Sequence, residues 1–349
     1  MRKLAGLIVM FFVLSSILIG CGGSQTPAVN PTQAQSKTEP ANGEKIKIVV
    51  AHVLAETHPA NKALEFFKQD LEKAMRGKFE VELSHSGKLG AEQDLVKKLQ
   101  EGTLEMAAVT TGTLGAIDPN YGVFDLPYII KDYASADAIL DGEIGMGLLK
   151  GFDKYGLVGL AWEENGFRQL SANKEITKPS DMKDIKIRTM QNEIQLKYFE
   201  TLGAKPASLP FTQLYQALKS GAFEAQDNPN ANTALSKLFE VQKFVMQTDY
   251  VYSPIVVLAS KVFWNKLSDA EKKVISDAAY AQRIKQREFN RTDQLAYIDI
   301  MTKGGTTYIK LTDAEKAEFK KEAEKIYPEF ENKIGKELVD KVKKAGGWW

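Results

Sequence analysis

The segment DIKIRTM, residues 184–190, alternates apolar and charged side chains in the manner of an extended strand. Ile185 and Ile187 share one face of such a strand, and Lys186 and Arg188 share the other. Two adjacent cations are typical of a sheet face in contact with water. The alternative is that Arg188 binds an anion, and the strand alone does not decide between the two.

Strands and helices alternate twice around this segment. A strand at 45–53, rich in β-branched residues, opens a strand–helix–strand–helix–strand series, in which Gly102 closes the second helix. The pattern starts again with FRQLSAN at 167–173 and continues through DIKIRTM to a strand that ends near Pro229. This order is typical of parallel, doubly wound sheets, so the sequence predicts two α/β units in series.

Two long segments follow the second unit. The apolar run DYVYSPIVVLAS, residues 249–260, is long enough for a strand that passes through both units. Ser268 and Glu271 then form a capping box, and no Gly or Pro occurs before Gly304. These signals predict a helix of about 50 Å. Two helices with a bend near Asn290 are the alternative.

The first residues, MRKLAGLIVMFFVLSSILIGCGG, have the features of a secretory signal. Two cations precede an apolar run that ends in LIGC, which resembles the lipobox of bacterial lipoproteins. We therefore predict a signal peptide at 1–21 and lipidation of Cys21. An unpaired thiol, or a chance cysteine in an uncleaved anchor, is the alternative. Cys21 is the only cysteine, which excludes an intrachain disulfide and a cysteine-based metal site.

Residues 22–44 contain Gly, Ser, Thr, Pro, Gln and Asn with little apolar content, which predicts a flexible tether. The whole chain carries 46 Lys and Arg against 45 Asp and Glu, and removal of Arg2 and Lys3 leaves one net negative charge. This balance gives no indication of a nucleic-acid partner. The mature chain is predicted to be exported and held at the membrane by its acyl chains.

Motifs of catalysis are missing from the sequence. It has three histidines, His52, His58 and His85, and no HExxH, GxSxG, P-loop or CxxC. SANK at 171–174 and SDMK at 180–183 match SxxK, as chance allows in a lysine-rich chain, and the accompanying KTG-type element is missing. We therefore predict a protein that is not an enzyme and has no metal and no cofactor.

Anion binding is the stronger hypothesis. The planar fork of an arginine makes two parallel hydrogen bonds to a carboxylate. Arg168 and Arg188 each lie where a predicted strand ends or turns, where ligands bind in open α/β sheets. Asn228 ends the last strand of the second unit, although it could instead cap the turn before Pro229. Phe211 could form a wall of the cleft, or simply pack at a helix start.

Several long motifs together resemble the solute-binding proteins of TRAP transporters, the tripartite ATP-independent periplasmic type. They occur in the order expected of that family and cover about 45–345: GKLGAEQDLVKKLQEGTLEMA (87–107), VFDLPYII (123–130), ENGFRQLSANKEITKPSDMKDIKIRTM (164–190), LGAKPASLPFTQLYQALKSGAFEAQDNP (202–229), KLFEVQKFV (237–245) and FWNKLSDAEKKVISDAA (263–279).

The resemblance implies an α/β, two-domain periplasmic-binding-protein-like fold, with a ligand cleft between the domains and a long helix that braces both. Domain I is expected at 45–165 plus about 254–293, and domain II at 166–253 plus about 294–349. Hinge closure would enclose the ligand.

The resemblance also implies site residues. Arg188 is expected to make the bidentate contact with a substrate carboxylate, and Arg168 to assist it. Asn228 and Phe211 are expected to line the site. Many members read Gly-Gln-Glu-Asn-Pro where this chain has Ala-Gln-Asp-Asn-Pro at 225–229, and the shared Asn-Pro keeps Asn228 in the set. Contacts from the first domain vary with substrate in this family, and the weaker candidates are Thr110, Thr111, His52 and Glu92.

The expected function is capture of an organic acid outside the cytoplasm and its delivery to a permease that is driven by an ion gradient. A sugar acid or another hydroxylated monocarboxylate is favoured, followed by a C4-dicarboxylate. Two other classes remain open. They are an ABC-type binding protein for a neutral solute and a sensor module that presents its ligand to a receptor.

Overall fold

The computed structural model describes residues 45–347. The predicted signal peptide at 1–21, Cys21 and the tether at 22–44 lie outside the described residues. In the part of the chain that is described, no helix combines the length and the apolar character needed to cross a membrane.

The described chain contains ten strands. They are β1 (Ile46–Ala51), β2 (Phe79–Ser84), β3 (Met106–Thr110), β4 (Leu157–Ala172), β5 (Lys186–Thr189), β6 (Lys205–Ser208), β7 (Ala225–Pro229), β8 (Phe244–Gln247), β9 (Tyr252–Ser260) and β10 (Thr307–Lys310).

Thirteen α-helices are described in the same range. They are α1 (Pro59–Lys73), α2 (Glu92–Glu101), α3 (Tyr133–Asp141), α4 (Glu143–Gly151), α5 (Glu193–Thr201), α6 (Leu214–Lys219), α7 (Asn230–Leu235), α8 (Lys261–Trp264), α9 (Asp269–Thr292), α10 (Gln294–Lys303), α11 (Asp313–Ala323), α12 (Tyr327–Ile334) and α13 (Lys336–Gly346).

The strands pair in the order β2-β1-β3-β9-β4-β7-β5-β6, with β8 beside β4 and β10 beside β8. We call β2, β1, β3, β9 and the first part of β4 the first lobe, and the remaining part of β4 with β5 to β8 and β10 the second lobe. Pairing is parallel from β1 to β2 and β3, and from β5 to β6 and β7. The predicted α/β class and its two units in series are confirmed.

One strand, β4, belongs to both lobes. Residues 157–167 pair with β9 and residues 168–172 pair with β7. The sequence predicts a new strand at FRQLSAN, 167–173, and offers 249–260 as the strand that passes through both units. That assignment is wrong. Asp249 has a left-handed backbone with φ 47°, and within residues 45–347 the strand that follows, β9, pairs with β3 and the first part of β4 and with no other strand. Every residue of β9 is buried, as expected for a central strand.

The long helical segment is two helices, so the alternative with a bend is correct. The capping box of Ser268 and Glu271 starts α9, and its 24 residues end at Thr292. Asp293 separates α9 from α10. Helix α9 packs on α1 and β4, while α10 packs on α7 of the second lobe. The pair therefore spans both lobes, as a bracing element should.

Two helix boundaries differ from those that the sequence suggests. The segment YASADAILDGEIGMGLLKGF, residues 133–152, suggests one helix, but it is divided at Gly142, where a Cβ atom would collide with the carbonyl oxygen of Ala138. The segment TQLYQALKSG, residues 212–221, suggests a helix from Thr212, but it begins as a 3-10 turn at Phe211–Gln213, and α6 starts at Leu214. Helix α11 contacts α5, whereas α13 contacts α3 and α4, so the C-terminal segment touches both lobes. The predicted domain bounds stay a prediction.

Candidate functional site

A cavity that is partly open to solvent, with about 430 Å³ of empty space, lies where the two lobes meet. Apolar side chains of both lobes form part of its wall, among them Val53 and Leu54 of the first lobe and Met190 and Phe211 of the second. The polar side chains that line it, apart from Arg168, are Glu92, Thr110, Thr113, Asn165, Arg188, Gln191, Asn228 and Asn232.

Arg188 reaches this cavity from β5, where it is held in register between Ala207 of β6 and Gln226 of β7. Its Nε donates to the backbone oxygen of Leu209 at 2.8 Å. Its Nη1 is buried and has no hydrogen-bond partner within residues 45–347. Burial, together with the charge of Arg168, lowers the pKa of Arg188 to about 10, so the guanidinium stays charged at neutral pH. The site therefore holds a buried positive group that needs an acceptor.

Arg168 is differently placed. Its Nε donates to Oδ2 of Asp227 and its Nη2 donates to the backbone oxygen of the same residue. The hydroxyl of Tyr250 donates to Asp227 as well, at 2.5 Å. Burial acts to lower the pKa of Arg168, but Asp227 outweighs it and the net shift is upward. Arg168 lines the cavity with its charge already matched, which the sequence did not predict.

Asn228 lines the cavity from the end of β7. Its Nδ2 donates to Oε1 of Gln226 at 2.5 Å, and its Oδ1 accepts from Nδ2 of Asn232 at 3.4 Å. Pro229 is the N-cap of α7 and no side chain caps that helix, so Asn228 does not have the turn-capping role considered as its alternative. Phe211 is half-buried and both lines the cavity and packs on the core.

The weaker first-lobe candidates divide into two groups. Glu92 and Thr110 line the cavity, and Glu92 accepts hydrogen bonds from the backbone nitrogen and the hydroxyl of Thr110, both at 2.8 Å. Burial raises the pKa of Glu92 although Thr110 and Arg188 act against it. Thr111 and His52 are buried but do not line the cavity, and Nε2 of His52 instead bonds Oδ1 of Asn61 at 2.9 Å.

Asn165 is the lining residue that sequence reasoning missed. It is 1% exposed, and both its Nδ2 and its Oδ1 are buried without a partner among the described residues. Gly166 follows it with φ 109°, at an irregularity in the pairing of β4 with β9. The available signal was a polar residue inside the apolar strand GLVGLAWEENG, beside a glycine. Asn165 offers the cavity an amide nitrogen that donates and a carbonyl oxygen that accepts.

The sequence profile of bacterial extracellular solute-binding protein family 7, DctP, matches residues 50–333. The chain is also 31% identical over 313 residues to the C4-dicarboxylate-binding periplasmic protein DctP of Rhodobacter capsulatus. That match covers 88% of this chain and 92% of the relative.

Two solved structures resemble the fold throughout. The sugar acid binding protein DctPAm of Advenella mimigardefordensis, in complex with galactonate, superposes with a TM-score of 0.85 at 33% identity, over 87% of this chain and 98% of that one. A TRAP periplasmic solute binding protein of Sulfurospirillum deleyianum with bound succinate superposes with a TM-score of 0.83 at 29% identity, over 87% of this chain and 100% of that one.

Proposed function

The chain belongs to family 7 of the bacterial extracellular solute-binding proteins, the binding subunits of TRAP transporters, and we propose that it captures a hydroxylated monocarboxylate and delivers it to an ion-gradient-driven permease. The family is one of binding proteins, and the proposed role of this chain is to bind its acid and release it unchanged.

The observation that carries the proposal is the unpartnered Nη1 of Arg188 at the cavity wall. A buried guanidinium nitrogen without an acceptor is costly, and a carboxylate supplies both the acceptor and the opposite charge. Arg168 forms an ion pair with Asp227 and would hold the second-lobe residues of the site in place. A neutral solute would leave the charge of Arg188 uncompensated, which argues against the ABC-type alternative.

Asn165 supports a hydroxyl on the ligand. Carboxylate oxygens only accept hydrogen bonds, so a simple carboxylate satisfies Nδ2 of Asn165 and leaves its Oδ1 without a donor. A hydroxyl group can both donate and accept. The conclusion does not depend on which way the amide is oriented, because both of its polar atoms are buried and unpartnered.

Charge balance favours one carboxylate over two. Arg168 and Arg188 are the basic side chains of the cavity wall in residues 45–347, and Asp227 already matches Arg168. A second carboxylate would find amides and hydroxyls in this wall but no second cation that lacks a counter-charge. We therefore rank a sugar acid such as galactonate, which the Advenella protein binds, above succinate, which the Sulfurospirillum protein binds.

The proposed setting is outside the cytoplasm, with Cys21 lipidated and residues 22–44 as the tether to the membrane. A lipid anchor would keep the binding protein close to its permease. We expect the wild type to incorporate radiolabelled palmitate and the Cys21→Ser variant to lose this labelling. Equal labelling of both proteins would contradict the anchor.

The ligand class is tested by thermal shift with residues 22–349. The panel pairs galactonate with neutral galactose, and malate with succinate, which lacks the hydroxyl. A ligand at 100 times its Kd adds about 2.7 kcal/mol of stability. We expect a shift with galactonate and none with galactose. A response to galactose alone would contradict the proposed function.

A further inference from the structure

His58 is a buried residue that the site described above leaves unused. It precedes α1 in the first lobe, and its side chain accepts the backbone hydrogen of Ala60 at Nδ1, at 3.1 Å. Its Nε2 lies 3.0 Å from Oδ1 of Asn232, which belongs to α7 of the second lobe. His58 is 1% exposed and Asn232 is 3% exposed, so the contact between the lobes is dry.

The tautomer of His58 is fixed by its neighbours. A backbone nitrogen can only donate, so Nδ1 must be the unprotonated, accepting nitrogen. The proton of the neutral ring is therefore on Nε2, which donates to Oδ1 of Asn232. This places the amide nitrogen of Asn232 on the side of Asn228, to whose Oδ1 it donates at 3.4 Å.

The hydrogen bonds keep the same donor-to-acceptor direction through the second lobe. Asn228 donates to Gln226 at 2.5 Å, and Gln226 donates through Nε2 to the hydroxyl of Ser171 at 2.6 Å. Ser171 in turn donates to Oε1 of Gln242 at 3.1 Å. The last link runs from Nε2 of Gln242 to a backbone oxygen, that of Val241, at 2.8 Å.

This chain of hydrogen bonds thus begins at a backbone N–H donor, that of Ala60, and ends at a backbone acceptor, the oxygen of Val241. Neither of these two groups can reverse its role. Every side-chain amide between them is oriented by the sum of these bonds. Asn228 and Asn232 both line the cavity, and each uses one of its two amide hydrogens in the chain. The second hydrogen of each is left for a ligand acceptor.

We propose that His58 is a positioning residue of the first lobe that closes this chain when the lobes meet, and so orients Asn228 and Asn232 as donors to the bound acid. The inference rests on the proposed function, and His58 itself does not line the cavity. Closure and recognition are coupled because the donor is in one lobe and the amides are in the other.

Protonation of His58 is incompatible with the contact. An imidazolium carries hydrogens on both nitrogens, so it cannot accept the bond from Ala60. Burial lowers the pKa of His58 to about 3, with His52 and Lys62 acting in the same direction and Asn232 against them. A histidine in water has a pKa near 6.5. The separated form therefore binds more protons than the joined form, and acid favours separation.

Two substitutions separate the roles of the two ring nitrogens. His58→Asn keeps an acceptor near the position of Nδ1, where asparagine is a good N-cap, and loses the donor to Asn232. His58→Gln carries an amide nitrogen to about the position of Nε2 and loses the cap. Neither side chain titrates between pH 5.5 and 7.5, a range in which the ligand carboxylate remains charged.

The experiment is calorimetric titration of the wild type and both variants with galactonate, malate and succinate at pH 7.5 and pH 5.5. We expect His58→Asn to weaken binding about tenfold at pH 7.5 with an unchanged midpoint of unfolding. His58→Gln should recover most of the affinity and lower that midpoint by about 2 °C. Wild-type affinity should fall at pH 5.5, by at most about tenfold per pH unit, and this fall should be smaller in both variants.

Equal losses of affinity and of stability in both variants would show that His58 only caps α1, and would overturn the inference. A wild-type pH profile retained in His58→Asn would overturn it too. If the wild type binds none of the three acids, the proposed function fails and this inference fails with it. If the wild type binds and His58→Asn binds equally well, the inference alone is wrong.

Discussion

Replacing Arg188 with methionine should separate binding from stability, because the two are expected to change in opposite directions. Methionine keeps an unbranched apolar stem on β5 and removes the guanidinium. The predicted pair of charge-assisted hydrogen bonds to the ligand contributes about 1.5–3 kcal/mol per bond. Loss of both corresponds to about 3–6 kcal/mol, or a Kd that is about 10²–10⁴ times weaker.

The stability of the ligand-free protein should not fall together with the affinity for the acid. The pKa of Arg188 is lowered from 12.5 to about 10, first by burial and then by Arg168. This difference corresponds to about 3 kcal/mol by which folding disfavours the charged form. The cost applies at every pH below about 10, so it is fully present in neutral buffer. We expect Arg188→Met to raise the unfolding free energy of the ligand-free protein by about 1–3 kcal/mol.

The assay combines urea unfolding of the ligand-free protein with calorimetric titration of the acid. Lys186→Met is the matched control, since Lys186 is on the same strand but exposed. It should change neither quantity beyond about 0.5 kcal/mol. Near wild-type affinity in Arg188→Met would refute the carboxylate contact. A loss of more than about 2 kcal/mol of stability would refute the claim that the buried charge is a cost to folding.

Three further predictions follow from other contacts. Asn165→Leu should weaken galactonate or malate about tenfold and leave succinate nearly unchanged, which titration of both ligand types would show; equal effects on all acids would contradict the hydroxyl contact. Gly166→Ala should cost about 1–3 kcal/mol in urea unfolding, because φ is 109° and a Cβ atom would lie 3.2 Å from Nδ2 of Asn290; an unchanged midpoint would contradict this. Burial raises the pKa of Glu163 to about 8, so folding disfavours its charge increasingly as pH rises from about 4.5 to 8. Glu163→Gln should therefore stabilise by about 1–3 kcal/mol more at pH 8 than at pH 5, and a pH-independent difference would contradict that reasoning.

Local patterns in the sequence predicted the elements well, because strand alternation and capping residues act over a few neighbours. The capping box at Ser268 was predicted and is present. The continuity of β4 was not predicted, since it depends on pairing with β9 and β7, which are far away in the chain. The end of α9 at Thr292 likewise has no Gly or Pro to mark it.

The candidate site shows the same limit of prediction from local sequence patterns. Arg188 and Asn228 could be selected because they follow or end strands in a recognisable motif, and the structure brings both to one cavity. The pairing of Arg168 with Asp227 depends on the register of β4 against β7, which no local pattern gives. Asn165 lies in a strand of buried type, and its position at the cavity, together with its missing hydrogen-bond partners in the described chain, marks it as a lining residue.

The most direct test of the central claim is a crystal structure of residues 22–349 with galactonate bound. The account predicts a carboxylate within about 3 Å of Nη1 of Arg188, with a ligand hydroxyl at Asn165. A carboxylate bound elsewhere, with Nη1 of Arg188 facing water or an apolar part of the ligand, would contradict it.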